Sequence, residues 1–289
     1  MGLSARGIIA LGQLIVYVPI VFVAGFLVFR HGFSRGTGWI FLLTLSIVRI
    51  VSGAMLVATE QQSNPSHTIV TIATVLESAG LSPLTQATLG FLNSVRKGFS
   101  YNNEEGGGIN ATFLLHIFSS IALALIVIGG SKAGNAKTHD DLDHAMLFRH
   151  IGVVLFFILY ILIALLHGYY WSQKRDLPKN RRMLLAGISL ALPFLFVRII
   201  YAVLSGFAPV ALPGDIVEQN SMSKFNSTTG PWWIYLIMSA LPEVLAVVTY
   251  IIVGIKVPVE KDFYQAKGRS SMEDGYRSDD AFQPAFRKP

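Results

Sequence analysis

The chain has 289 residues, of which 52% belong to the set AVILMFWYC and only 14% are charged, and it contains no cysteine. Soluble domains carry about 25% charged residues, so this composition, with a mean hydropathy of +0.53, excludes a disordered chain and argues against a soluble enzyme. The missing cysteine excludes a disulfide framework, a thiolate metal site and a cysteine nucleophile.

A helix needs roughly 20 apolar residues to cross a hydrocarbon core, and seven stretches meet that length. They run over Ile8–Phe29, Trp39–Thr59, Val70–Leu92, Ala111–Gly129, Leu147–Trp171, Met183–Ser205 and Trp232–Ile255. Runs this continuous satisfy their backbone groups as helices, which predicts an all-α, seven-helix transmembrane domain over residues 1–257. The first segment is too long for the apolar region of a signal peptide and is read as a retained helix. The third is the most polar, carrying Glu77 and Pro83.

Between the segments the basic residues alternate in density. Four Lys or Arg fall in the N-terminus and the connections on its side. Thirteen fall in the remaining connections and the first part of the C-terminal tail. Basic loops stay cytoplasmic, so the N-terminus is expected outside or lumenal and the C-terminus cytoplasmic, in the plasma membrane or an endomembrane. The net charge of +6 thus reads as membrane topology, with the lipid bilayer as partner and no nucleic acid. Residues 258–289 lack apolar periodicity and read as a disordered cytoplasmic tail. Asn226-Ser227-Thr228 is a glycosylation sequon on the outer side, whereas Asn110-Ala111-Thr112 falls on the inner side.

Within the segments a pattern recurs. Val48-Arg49-Ile50 in the second matches Val197-Arg198-Ile199 in the sixth. The helix after each carries a carboxylate, Glu77 and Glu243. The helix before each ends in His-Gly-aromatic, at His31 and His167, with Tyr17 and Tyr160 further back. This suggests two parallel three-helix repeats joined by the fourth helix, a plan used by some transporters.

Arg49, Glu77, Arg198 and Glu243 stand in the apolar segments, where charges face a bundle interior or a wet cavity and usually pair. Pairing within each half, Arg49 with Glu77 and Arg198 with Glu243, is the simplest arrangement. At a rise of 1.5 Å per residue the first pair lies within roughly 5 Å of one depth and the second within about 8 Å. Such a set is either a ligand or proton site or a pair of salt bridges that fixes helix packing. Small residues flank Arg49, Glu77 and Glu243 at helical spacing, as in close helix contacts. His116 lies on a polar stripe of the fourth segment with Thr112, Ser119 and Ser120, and joins the candidate ligand-binding residues.

No phosphate loop, nucleophile elbow or dinucleotide fingerprint is present, and no segment carries a lysine for a retinal Schiff base. The cluster from His139 to His144 reads as a helix start capped by Thr138, with Asp141 three residues on, rather than a metal site. No cofactor, metal or enzymatic activity is therefore expected.

The stretch Leu76-Glu77-Ser78-Ala79-Gly80-Leu81-Ser82-Pro83-Leu84, with Ala87-Thr88-Leu89-Gly90-Phe91-Leu92, resembles the signature segment of a family of fungal seven-helix membrane proteins known only as a domain of unknown function. The resemblance covers about residues 3–257 and implies a multipass protein without an assigned activity. Function is accordingly read from the residues. The expectation is a carrier or ligand-binding scaffold for a small or lipid-like molecule. The alternative is a heptahelical receptor or sensor with its N-terminus outside.

Overall fold

The computed structural model describes residues 3–31, 38–62, 67–99, 111–210 and 221–257. The expected disordered tail, the Asn110 sequon position and Gly32-Phe33 lie outside the described residues.

The protein is all-helical among the described residues. Its elements are α1 (Ala5–His31), α2 (Trp39–Gln61), α3 (His67–Ala79), α4 (Leu81–Arg96), α5 (Ala111–Asn135), α6 (His139–Ser172), α7 (Lys179–Gly206), α8 (Trp232–Tyr235) and α9 (Leu241–Lys256). Together α3 with α4, and α8 with α9, form one span each, so seven helical spans are long and apolar enough to cross a membrane. The spans outrun the apolar segments where polar residues favour helix. The first two turns of α6, with Asp140 and Asp141, precede the apolar run at Leu147. They are helical because Thr138 caps them, its hydroxyl accepting from the Asp141 amide at 3.2 Å. A carboxylate near a helix N-terminus also suits the dipole.

Two spans are interrupted, and in both a proline removes a backbone donor. Between α3 and α4 the helix breaks at Gly80, three residues before Pro83. A side chain at Gly80 would meet the Arg49 guanidinium, whose Nη2 and Cζ lie 2.7 and 2.8 Å from an ideal Cβ position. Glycine is therefore what lets a charged group reach the middle of this span. In the last span a π turn over Leu236–Ala240 precedes Pro242, with the Leu241 amide bonding back to the Leu236 carbonyl. Such π turns widen a helix locally and recur at functional sites.

The surface is apolar and the interior holds the polar groups. Ile8, Ile15, Phe22, Phe26 and Phe29 of α1 face outward, Phe29 being 85% exposed. Arg49, Glu77, Arg198 and Glu243 are buried. Exposed apolar area on this scale marks a surface meant for a nonaqueous environment, as the lipid bilayer provides, and the protein is an integral membrane protein.

The span ends meet in the order that seven crossings require. At one end Ser4 bonds Glu60 at the end of α2, its hydroxyl at 2.5 Å. Arg6 donates there to the carbonyls of Asn226 and Gly230, at 3.3 and 3.0 Å. At the other end His31 contacts the Gly254 carbonyl at 3.1 Å, and Arg181 of α7 donates to the Ser94 carbonyl of α4. The start of the first span and the end of the last thus lie at opposite ends of the bundle. We name the first of these ends the N-terminal end.

Replacing Gly80 by valine is expected to destabilise the protein by about 1–3 kcal/mol, the usual range for overpacking. Thermal unfolding of the detergent-purified protein checks it, and an unchanged midpoint would show that Arg49 does not need the space.

Candidate functional site: a buried charge centre beneath a polar vestibule

The charged residues read from the sequence converge from four spans. Arg49 on α2 holds both carboxylate oxygens of Glu243 on α9, Nε to one and Nη2 to the other. This two-point geometry is the strongest a guanidinium and carboxylate can make. Arg198 on α7 donates through Nε to Oε2 of Glu243 at 3.3 Å. The Tyr17 hydroxyl of α1 donates to Oε1 at 2.8 Å. Glu243 has no exposed surface, and two cations and a phenol satisfy its oxygens.

The pairing within halves is therefore half realised. Arg198 meets Glu243, but Arg49 crosses to the same carboxylate and touches Glu77 only at its backbone carbonyl, Nη1 donating at 3.1 Å. Local geometry explains the difference. The break at Gly80 brings the carbonyl side of α3, rather than its carboxylate, against the guanidinium. The repeat shows the same partial match. Arg49 and Arg198 reach one depth and one partner, whereas Tyr160 bonds the Leu192 carbonyl at 3.3 Å instead of a charge. His167 meets the Ser189 hydroxyl at 2.9 Å, where His31 takes a backbone carbonyl.

Glu77 faces a different space. Its carboxylate lines a cavity of about 40 Å³ together with Arg149, Arg198, Tyr201, Tyr235 and Ser239. That is room for a few water molecules. Tyr235 faces Glu77 and also reaches Gln13 Oε1 at 3.4 Å. Ser239, in the π turn, is 1% exposed, and its hydroxyl has no hydrogen-bond partner among the described residues. A buried hydroxyl left open in this way is costly unless water or a ligand completes it.

A vestibule of about 240 Å³ lies next to this cavity at the N-terminal end. Thr74, Ser78, Ile126, Arg149 and Ser227 line both spaces, so the two adjoin. Asn226 stands on the vestibule wall. Its amide Nδ2 donates to the Pro209 carbonyl at 2.9 Å, and its Oδ1 accepts from the Thr228 amide and hydroxyl at 2.9 and 2.8 Å. This side chain, 9% exposed, holds the loop in place, and the Nδ2 to which a glycan would be attached is engaged in that contact.

His116 lies apart from the charge centre. It stacks on Phe41, with ring centroids 5.5 Å apart, in a lateral groove of about 820 Å³ between α2, α4 and α5. Arg96 and Lys97 stand at one end of that groove, and Phe113, Ile117 and Ile121 line its length.

One site residue escaped the sequence reading. Arg149 sits in the third residue of the apolar run that begins at Leu147, and its position near the edge masked it as a boundary charge. The extended α6 places it inside the bundle, where Nη2 donates to the Ser205 carbonyl at 2.8 Å. The available signal was a guanidinium within an apolar run with no acidic residue at helical spacing after it.

Among comparisons with known proteins, a family model described as a domain of unknown function (DUF7702) matches residues 3–260. No curated protein and no solved structure matches the chain.

The two glutamates are expected to separate on substitution. Glu243→Gln leaves two buried guanidinium groups short of a counter-charge and should destabilise by about 3–5 kcal/mol. Glu77→Gln removes no direct ion pair and keeps an oxygen to face Tyr235, so it should cost less, about 1 kcal/mol, the centre of the usual range for point substitutions. Thermal unfolding of both purified variants checks this, and equal losses would contradict the division.

Proposed function

The chain thus belongs to the DUF7702 family, a domain of unknown function, and from its geometry we propose a multipass carrier or ligand-binding scaffold, without enzymatic activity, whose small-molecule ligand enters through the vestibule. The observation that carries this reading is a vestibule at the N-terminal end that adjoins, through Arg149 and Ser227 among others, a charged cavity at Glu77 and Arg198. Ionisable groups in a membrane span that meet a cavity mark substrate or ion paths. The groups locked around Glu243, by contrast, have the closed geometry of a packing device.

The π turn and the break at Gly80 support the reading for a carrier. Both interrupted spans line the cavity, through Glu77 and Ser78 on one and Tyr235 and Ser239 on the other. Discontinuous helices are the usual builders of midplane binding sites in transporters. The charge balance of the connections supports a vestibule that opens to the outside or to a lumen. The bases at the opposite end, among them Arg30, Arg96, Lys174, Arg182 and Lys256, would then face the cytoplasm.

The lateral groove favours a second reading, a lipid-like ligand. Its apolar length along α5 suits an acyl chain, and Arg96 and Lys97 at its end suit an acidic headgroup.

The test is retention of small molecules. Purified protein in nanodiscs is incubated with a metabolite extract, and retained compounds are identified by mass spectrometry. A compound retained by the wild type and lost in Ser227→Trp, which fills the vestibule, is the expected result. Flux of that compound into proteoliposomes would make the protein a carrier. Binding without flux would make it a scaffold or receptor. A compound retained equally by Ser227→Trp would place the ligand elsewhere, with the groove as the next site.

A further inference from the structure

Resting on the vestibule reading, we infer that its ligand is a small anion, held through a carboxylate-like group between Arg149 and Arg198 at the inner end of the path. Arg49 and Arg198 share the single carboxylate of Glu243, so that trio keeps one net positive charge. Arg149 adds a second cation to the cavity lining, against the single carboxylate of Glu77. The lining therefore holds an excess of one positive charge even with Glu77 ionised.

Partners tell the same story. Arg149 donates to the Ser205 carbonyl at 2.8 Å and sits 3.4 Å from the Ser205 hydroxyl, both neutral acceptors. No carboxylate among the described residues forms an ion pair with it. Arg198 gives Nε to Glu243 at 3.3 Å, a longer contact than the paired ones of Arg49. Arg198 also lines the cavity, and its Nη atoms are not among the groups bonded to Glu243. A guanidinium carries five donors, so both arginines keep donors for a further acceptor.

The surroundings complete the site. The unpartnered Ser239 hydroxyl lines the same cavity and can donate to an anionic oxygen. Seven residues separate Arg198 from Ser205, the contact of Arg149, which is about 10 Å along the helix. The two cations thus form a ladder from the vestibule inward. An anion entering from the N-terminal end meets Arg149 first and Arg198 next. The inner cavity of about 40 Å³ takes only an anionic group, so the body of the ligand stays in the vestibule of about 240 Å³. Those sizes select a small organic acid. A cation would meet Arg149 before it met Glu77.

The chain has no cysteine, which permits a direct test. Ser227→Cys places a single thiol where vestibule and cavity join. Its labelling rate is measured in the full-length purified protein with anionic sulfonatoethyl and cationic trimethylammonioethyl methanethiosulfonates. Each rate is divided by the rate of the same reagent with 2-mercaptoethanol. The normalised rate is expected to favour the anionic reagent about tenfold, the lower end of focusing by a charged cleft. Arg149→Lys should keep most of that preference, and Arg149→Gln should bring it towards unity. Excess propionate should slow anionic labelling where propionamide does not.

A normalised preference for the cationic reagent, or none, overturns the anion assignment while the labelling itself upholds the vestibule. Equal effects of propionate and propionamide also overturn the assignment. No labelling at all, in a Ser227→Cys protein that elutes and melts like the wild type, removes the vestibule reading too.

Discussion

The bundle is organised around one buried carboxylate. Glu243 lies in a membrane span without exposed surface, where an isolated ion is too costly to persist. It is tolerated because groups from three other spans meet it: Arg49, Arg198 and Tyr17. Each of those groups needs the carboxylate as much as it needs them. Four spans are thereby required to stand at one register and one rotation. Apolar packing alone gives no such register in lipid, because lipid tails solvate an apolar helix about as well as another helix does.

The backbone irregularities follow from that centre. A guanidinium as large as that of Arg49 enters a closely packed interior only where a neighbouring helix yields room, and Gly80 yields it. Pro83 and Pro242 each delete an amide donor, which a regular helix would direct to the carbonyls of Ala79 and Met238, and the break at Gly80 lies beside the charges. The Glu77 carbonyl is used by Arg49, and the π turn before Pro242 carries the open hydroxyl of Ser239. Polar groups and helix defects thus occur together because each supplies what the other lacks. Buried charges need donors and acceptors, and interrupted helices need partners for their freed backbone groups.

Much of the architecture was legible in the chain because lipid imposes simple rules. Continuous apolar runs of sufficient length can only be helices, and seven of them were visible at once. The charged residues of the centre were visible for the same reason, being conspicuous against an apolar background. Partner choice was not legible. Depth along an axis can be counted from sequence, but rotation about it cannot, and rotation decides whether Glu77 offers Arg49 its carboxylate or its carbonyl. Arg149 was missed because the end of an apolar run does not mark the end of a helix. Thr138 begins α6 well before Leu147, and the added turns shift where the bundle interior starts. The vestibule was hidden for a further reason. Its wall includes the Asn226 loop, whose form depends on Pro209 and Arg6 as well as on the neighbouring Thr228, and the first two contacts are too distant in sequence to count.

The same chemistry is used in two contrasting ways within a short distance. Around Glu243 the acceptors are filled by protein, so the group has nothing to offer a ligand and its role is to hold spans together. Around Glu77 the balance is left incomplete: one carboxylate, two cavity-facing guanidinium groups and an unsatisfied hydroxyl. Arg198 belongs to both sets, joining the locked centre through Nε while lining the open cavity. Any group that binds Arg198 from the cavity competes with, or adds to, its contact with Glu243. Because Glu243 also bonds Arg49 of α2 and Tyr17 of α1, one shared arginine ties the lining of the small cavity to the contacts that join four spans.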